Sequence, residues 1–301
     1  MAVFGTYRAT TRVQALPMTP IDDPALWEPE DLSAADDWLY RFTTEDINEI
    51  TAAVETVRRS GTAIVDMSRQ DFPLPNLADT LAGVRQELLE GRGLVFLRGL
   101  PVADLGRERA AIAYFGIGCH LGVPISQNAY GHLLGHVRDF GKSFEDPNIR
   151  GYRSKAALGF HADHCDYVAL LCMQTAKSGG ESRIASAITL YNRMLGTRPD
   201  LVRELTKDFY WSRQGEVPPG KQPWYTQPIF CFHDGYFSAR GASGYIRKAQ
   251  GLPGVPPFTP AQTEAIAFYQ KTVDQCAADI PFEEGDIQFL HNHVILHSRR
   301  A

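Results

Sequence analysis

The sequence predicts a mainly β domain with flanking helices, and three observations carry that expectation. After residue 120 the chain breaks into short apolar runs, "YVALLCMQ", "QPIFCF", "GYFSAR" and "DIQFL", separated by Gly, Pro, Asn and Asp. That is the texture of short strands joined by tight turns. Ahead of them, apolar residues recur at helical spacing. Two further helical runs, about 187–206 and 260–278, interrupt the strand-rich part. Many short strands decorated with helices suggest a β-sandwich or barrel.

Residues 1–35 are rich in Pro and acids and are expected to wrap the surface. A helix is predicted from Thr44 to Arg59: Thr43 or Thr44 can cap it, Ile47, Ile50, Val54 and Val57 form one stripe, and Gly61 ends it. A second runs from Leu77 to Glu90 behind an Asn76 cap, with Leu77, Leu81, Val84 and Leu88 on one face. "GRGLVFLRGLP" reads as a buried strand, and "LGRERAAIAYFG" as a helix over 105–116. In the 260–278 helix Thr259 caps, Pro260 takes the first position and Gln262 can close a capping box.

The 301 residues show no internal repeat and suffice for one large domain. A net charge of −5 without a Lys/Arg run argues against nucleic acid or an anionic membrane as partner. No apolar run approaches the ~20 residues of a membrane span. Five cysteines (119, 165, 172, 231, 276) make no CxxC pair and read as reduced thiols, so a cytoplasmic enzyme is expected.

The chemistry concentrates in "LGFHADHCDYVALL". On an extended strand His161, Asp163 and Cys165 share one face, and His164 and Asp166 the other. An imidazole and a carboxylate two residues apart can bind one ion, but a third ligand is needed. The C-terminal "EEGDIQFLHNHVILHSRR" offers His291, His293 and His297, all of one parity, so periodicity leaves the choice open. His-x-Asp plus a distant His is the two-histidine, one-carboxylate set that holds non-haem Fe(II) with three positions open. Zinc prefers a closed tetrahedral set, or three ligands plus water.

Three blocks, "LLEGRGLVFLRGLP", "GFHADHCDYVALLCMQTAKSGGES" and "EEGDIQFLHNHVILHSR", resemble the TauD/TfdA family of Fe(II)/2-oxoglutarate-dependent dioxygenases, within the clavaminate-synthase-like group. The resemblance implies a double-stranded β-helix (jelly roll) core with Fe(II) held by His161, Asp163 and His297. In the family pattern Asn292 matches the Asn and His297 the metal histidine, leaving His293 as a neighbour in the cavity. It implies 2-oxoglutarate and O2 as co-substrates, with decarboxylation to succinate driving oxidation of an unactivated C–H bond by hydroxylation, desaturation or cyclisation. Halogenating members carry a small residue in place of the carboxylate, and Asp163 is present. The family's hydroxyl group for 2-oxoglutarate would match Ser182, with Ser186 in reserve. Its arginine for the distal carboxylate lies well beyond the final histidine, so the sequence ending at Ala301 is expected to lack a C-terminal segment.

Arg153 and Lys155 share the parity of His161 if "RGYRSKAALGFHAD" is one strand, and either can hold an anionic substrate group; Gly159 can insert a bulge that resets this. Gln127 and Asn128 match a polar loop that relatives bring over the cavity, and Arg240 is a further candidate anion holder. The Gly- and Pro-rich stretch 212–257 resembles a lid, with Trp211, Trp224 and Tyr225 able to line the pocket. The expected substrate is a small organic molecule, anionic or amino-acid-like. Two alternatives are a metal-dependent isomerase or hydrolase on a cupin-like barrel, and a non-catalytic ligand-binding member of the fold.

Overall fold

The structure, a computed structural model, describes residues 12–128, 130–138, 157–177 and 179–300. Two four-stranded sheets form its centre. The first is ordered β1 (Leu39–Arg41), β2 (Leu94–Arg98), β11 (Ile287–His291) and β4 (Tyr167–Leu171). The second is ordered β10 (Ala277–Ile280), β5 (Ser182–Ser186), β12 (Ile295–Arg299) and β3 (Leu158–His161). Only β1 and β2 run parallel; every other pair in these sheets is antiparallel.

Alternation decides what each face meets. On β2, Val95 and Leu97 pack against α2 (Thr44–Ser60), α3 (Leu77–Glu90) and α4 (Val102–Leu121), together with Ile287 and Phe289 of β11. Leu94 and Phe96 turn the other way, into a core shared with Leu290 and with Ile184 and Leu296 of the second sheet. Gln288 spans the same gap, donating to Ser182 Oγ at 3.4 Å. Helices α5 (Ala187–Thr197), α6 (Pro199–Leu205) and α8 (Pro260–Gln275) complete that core through Leu190, Met194, Val202, Ile266 and Tyr269. The expectation of a mainly β chain is corrected: helix outweighs strand among the described residues, because both sheets are covered by helices.

The helices follow local chemistry. Thr43 and Asp46 close a capping box at α2, and Gly61 ends it at φ 72°. Thr259 and Gln262 do the same at α8. Asn76 does not cap α3; instead the Glu49 carboxylate on α2 accepts from the Asn76 and Leu77 amides at 3.0 Å, so one helix caps another. The helix expected over 105–116 extends to Val102–Leu121, broken at Gly106 with φ 68°. The helical run 187–206 divides at Arg198, ahead of Pro199.

The N-terminal stretch does not merely wrap the surface. Ala15, Ile21, Ala25 and Trp27 are buried in the core. Arg12 is buried too: it donates to Asp23 at 2.8 Å and to the Leu88 and Gly91 carbonyls at 2.9 and 2.6 Å. The stretch 212–257, with the residues leading into it, is largely regular structure. It forms hairpins β6–β7 (Phe209–Ser212, Trp224–Gln227) and β8–β9 (Phe230–His233, Tyr236–Ala239) and helix α7 (Gly244–Ala249). Trp211, just ahead of it, and Phe230, Ala239 and Ile246 within it are core residues. No helix among the described residues is long and apolar enough to cross a membrane.

Two predictions follow from buried charge. Asp23→Ala strands the Arg12 guanidinium and is expected to cost about 3–5 kcal/mol, whereas Glu55→Ala, which breaks an exposed pair with Arg58, should stay within about 0.5 kcal/mol; urea unfolding measures both. His291 is held down to about 3 from 6.5 by burial first, then by His293 and Arg12. The unfolded chain therefore takes up a proton that the folded one refuses, and stability falls as pH drops from 6.5 towards 3. His291→Leu is expected to flatten that limb by up to about 1.4 kcal/mol per pH unit; parallel curves would refute it.

Candidate metal centre

β3 is a strand only to His161; Ala162 and Asp163 follow in open loop, and residues 164–166 bend before β4. Asp163 therefore reaches the cavity from a loop, not from a continuing strand. At the other end, residues 292–294 form a turn between β11 and β12. That turn makes the shared parity of His291, His293 and His297 irrelevant, since His291 closes one sheet and His297 lies in the other. β12 pairs His297 directly with His161, and their rings stand 4.3 Å apart.

The result is one convergence. His161, Asp163 and His297 each bring a ligand atom within 4.8 Å of the others, the one such group among the described residues. Donors bound at about 2.1 Å to one ion lie ~3 Å apart when adjacent, so small side-chain rotations close the set. Its protonation suits a cation. His161 Nδ1 lies 2.9 Å from the Gly159 carbonyl, which can only accept, so Nδ1 donates and Nε2 is the ring nitrogen left to meet a metal. Burial, then the neighbouring His161 imidazole, pushes His297 down to about 4 against the pull of Asp163, and its Nδ1 is buried without a partner. His297 Nε2 stands 3.6 Å from Asp163 Oδ2. Two imidazoles, one of them held neutral by burial and left with an orphaned nitrogen, beside a carboxylate fit a bound divalent metal.

Cys165 does not belong to the set. Burial, then Asp163 and Asp166, raises its thiol to about 12, and Asn292 Nδ2 donates to its Sγ at 3.2 Å. Asp166 accepts from His293 Nε2 at 3.1 Å, and that bond holds its carboxyl below the usual range. His164 Nε2 meets the Tyr225 hydroxyl at 2.9 Å.

The three side chains open on a cavity of about 2460 Å³. Ser182 and Gln127 line it, and so does Gln288, a polar wall residue that the sequence reading missed. Its signal was an amide at an inward position in the otherwise apolar "DIQFL". Ser186 is corrected: its buried hydroxyl caps α5, accepting from Thr189 N at 3.0 Å and lying 2.5 Å from the Ala25 carbonyl it donates to. Asn128 serves its own loop, accepting from the Tyr130 amide at 3.0 Å. Arg240 is corrected as well. It is absent from the cavity wall, and its guanidinium donates to the Asp163 carbonyl at 2.8 Å. Trp211 and Tyr225 stack within the β6–β7 hairpin instead of lining the cavity. Trp224 packs edge-on against Tyr210 there. Arg153 and Lys155 lie outside the described residues.

Comparison with known proteins identifies the family. The sequence profile described as "Taurine catabolism dioxygenase TauD, TfdA family" matches residues 56–301. FR-33289 synthase of Streptomyces rubellomurinus is 30% identical over 297 residues, covering 94% of this chain and 84% of that protein. The taurine hydroxylase-like protein SAT17 of Stachybotrys chartarum is 28% identical, covering 93% and 74%. Among solved structures, asparagine oxygenase with Fe(II), hydroxyasparagine and succinate superposes at a TM-score of 0.67, with 19% identity and 87% of each chain covered. The non-haem iron oxygenase OrfP with Fe and α-ketoglutaric acid superposes at 0.62, with 15% identity and 87% and 88% covered. A profile match over most of the chain, together with a relative at 30% identity, leads to one conclusion: the chain belongs to the TauD/TfdA family of Fe(II)/2-oxoglutarate-dependent dioxygenases.

Proposed function

We propose that this chain is a single-domain oxygenase that oxidises an unactivated C–H bond of a small, amino-acid-like metabolite, with decarboxylation of 2-oxoglutarate to succinate. The observation that carries it is the meeting of His161, Asp163 and His297 at one point of a wide cavity. The two facing sheets, wrapped by helices, are read as a double-stranded β-helix with the metal at one mouth. Bound Fe(II), with 2-oxoglutarate and O2, supplies the oxidising power.

The chain's own residues do the rest. The Gly159 carbonyl orients the His161 ring through Nδ1, and burial keeps His297 neutral, so His297 is a donor at neutral pH without prior loss of a proton. Two imidazoles and one carboxylate leave half an octahedral sphere for co-substrate and oxygen, which favours this chemistry over a closed zinc site. Ser182 and Gln288, bonded to one another across the sheets, offer a hydroxyl and an amide to the carboxylates of 2-oxoglutarate. Gln127 in the wall is read as a substrate contact. An amino-acid-like substrate is supported by the structural relatives, whose complexes hold hydroxyasparagine and hydroxy-arginine.

Anaerobic addition of Fe(II) and 2-oxoglutarate tests the reading. A weak visible charge-transfer band is expected from the wild-type protein and not from Asp163→Ala or His297→Ala; a wild type without the band would overturn it. The two serines separate by readout. Ser182→Ala is expected to weaken 2-oxoglutarate binding by about fivefold to tenfold, the loss of one hydrogen bond of about 1 kcal/mol. Ser186→Ala should leave that affinity alone and lower stability by about 1 kcal/mol, the value of a helix cap.

A further inference from the structure

Beyond His161 the metal segment has no strand partner, yet Asp163 must aim its carboxylate at two imidazoles fixed in the sheet. Three of the backbone groups that set its direction are taken. The Ala162 amide donates to the Arg240 carbonyl at 3.2 Å. The Asp163 amide donates to Asn292 Oδ1 at 3.0 Å, and the Asp163 carbonyl accepts from the Arg240 guanidinium at 2.8 Å. Arg240 thus holds both ends of the Ala162–Asp163 segment, the Ala162 amide through its own backbone and the Asp163 carbonyl through its side chain.

The grip is itself anchored. The Arg240 amide donates to the Ile229 carbonyl at 3.0 Å, and the preceding Ala239 amide to the His293 carbonyl at 3.1 Å. Gly241 follows at φ +82°, packed so closely that a Cβ there would lie 2.5 Å from the Phe160 carbonyl oxygen and 2.7 Å from His161 Cα. Only glycine fits this backbone conformation and this approach. The turn after β9 therefore lies flat against the end of β3 and replaces the strand that β3 lacks.

We propose that Arg240 is a positioning residue for the metal centre, holding the Ala162–Asp163 peptide so that the carboxylate faces His161 and His297 before the metal arrives. This rests on the reading of those three side chains as metal ligands. Groups that orient a metal ligand typically change affinity 10–100-fold when removed. Arg240 acts through the peptide and touches neither metal nor substrate.

Titration of the metal-free protein with Co(II) alone, followed by its visible absorption, tests the proposal beside the melting temperature of the metal-free form. Arg240→Met keeps the bulk and removes every donor. It is expected to weaken Co(II) at least tenfold and to alter the spectrum, with the metal-free melting temperature close to wild type. Arg240→Lys, which retains a donor, should recover part of the affinity. Faster amide exchange at Ala162 and Asp163 in metal-free Arg240→Met is the matching local signature. Wild-type affinity and spectrum in Arg240→Met would overturn the proposal and leave the metal reading standing. A melting temperature that falls with affinity and is not rescued by Arg240→Lys would also overturn it, making Arg240 a residue of the fold alone. A wild type that does not bind Co(II), or an Asp163→Ala variant that binds it equally well, would instead overturn the ligand assignment.

Discussion

The pairing of β12 with β3 is the constraint on which the centre depends. His297 faces His161 because these two residues are register partners. A slip of one residue would turn His297 to the opposite face and leave His161 and Asp163 alone in the cavity. The register is held from the other side by β5, which pairs with β12 along five residues from Ile295↔Ser186 to Arg299↔Ser182. It is also held at its start by the 292–294 turn, where the Asn292 amide donates to the Asp166 carbonyl and its side chain accepts from the Asp163 amide. One asparagine thus links the strand that carries the second histidine to the loop that carries the carboxylate. An asparagine has donors and an acceptor on one short side chain, which is what a junction between two loops requires.

The opposite end of β11 is pinned by charge. Asp286 is fully buried and accepts from Arg98 Nε and Nη2 at 2.8 and 2.7 Å, a bidentate fork, and from the Glu283 amide. Gly285 beside it has φ +88° and presses on the Leu100 carbonyl, where a side chain would collide. The Gly-Asp pair therefore locks β11 to the end of β2. With Arg12 and Asp23 tying the N-terminal stretch to the end of α3, the sheet that backs the cavity is fixed along both its length and its outer face.

Much of this was legible in the sequence, and the exceptions share a cause. Helix limits at Thr44 and Pro260 were readable because caps are local signals, and the α3 run from Leu77 because apolar spacing is another. The convergence of His161, Asp163 and His297 was readable from His-x-Asp and the family pattern, not from parity, because parity needs strands that run on past His161 and His291, where they end. What stayed hidden was set by partners far along the chain. Glu49 caps a helix 27 residues on, Ser186 is drawn from the cavity by the Ala25 carbonyl, and Arg240 is captured by a peptide 77 residues away. A cation looks like an anion holder in sequence. Only the fold reveals that a backbone carbonyl has claimed it.

The donor set also depends on what is kept out of it. Cys165 sits two residues from Asp163, and a soft thiolate there would draw the centre towards zinc or cluster chemistry. Burial and two flanking carboxylates oppose its ionisation, and Asn292 occupies the sulfur with its amide hydrogen. The same asparagine that aligns Asp163 thereby occupies its competitor. The hydrogen bond from His161 Nδ1 to the Gly159 carbonyl works alongside it, leaving Nε2 as the ring nitrogen that can face the centre. A nitrogen–nitrogen–oxygen face is thus selected by the loop backbone as much as by the ligands themselves. The wide cavity beyond it leaves recognition of the substrate to its walls.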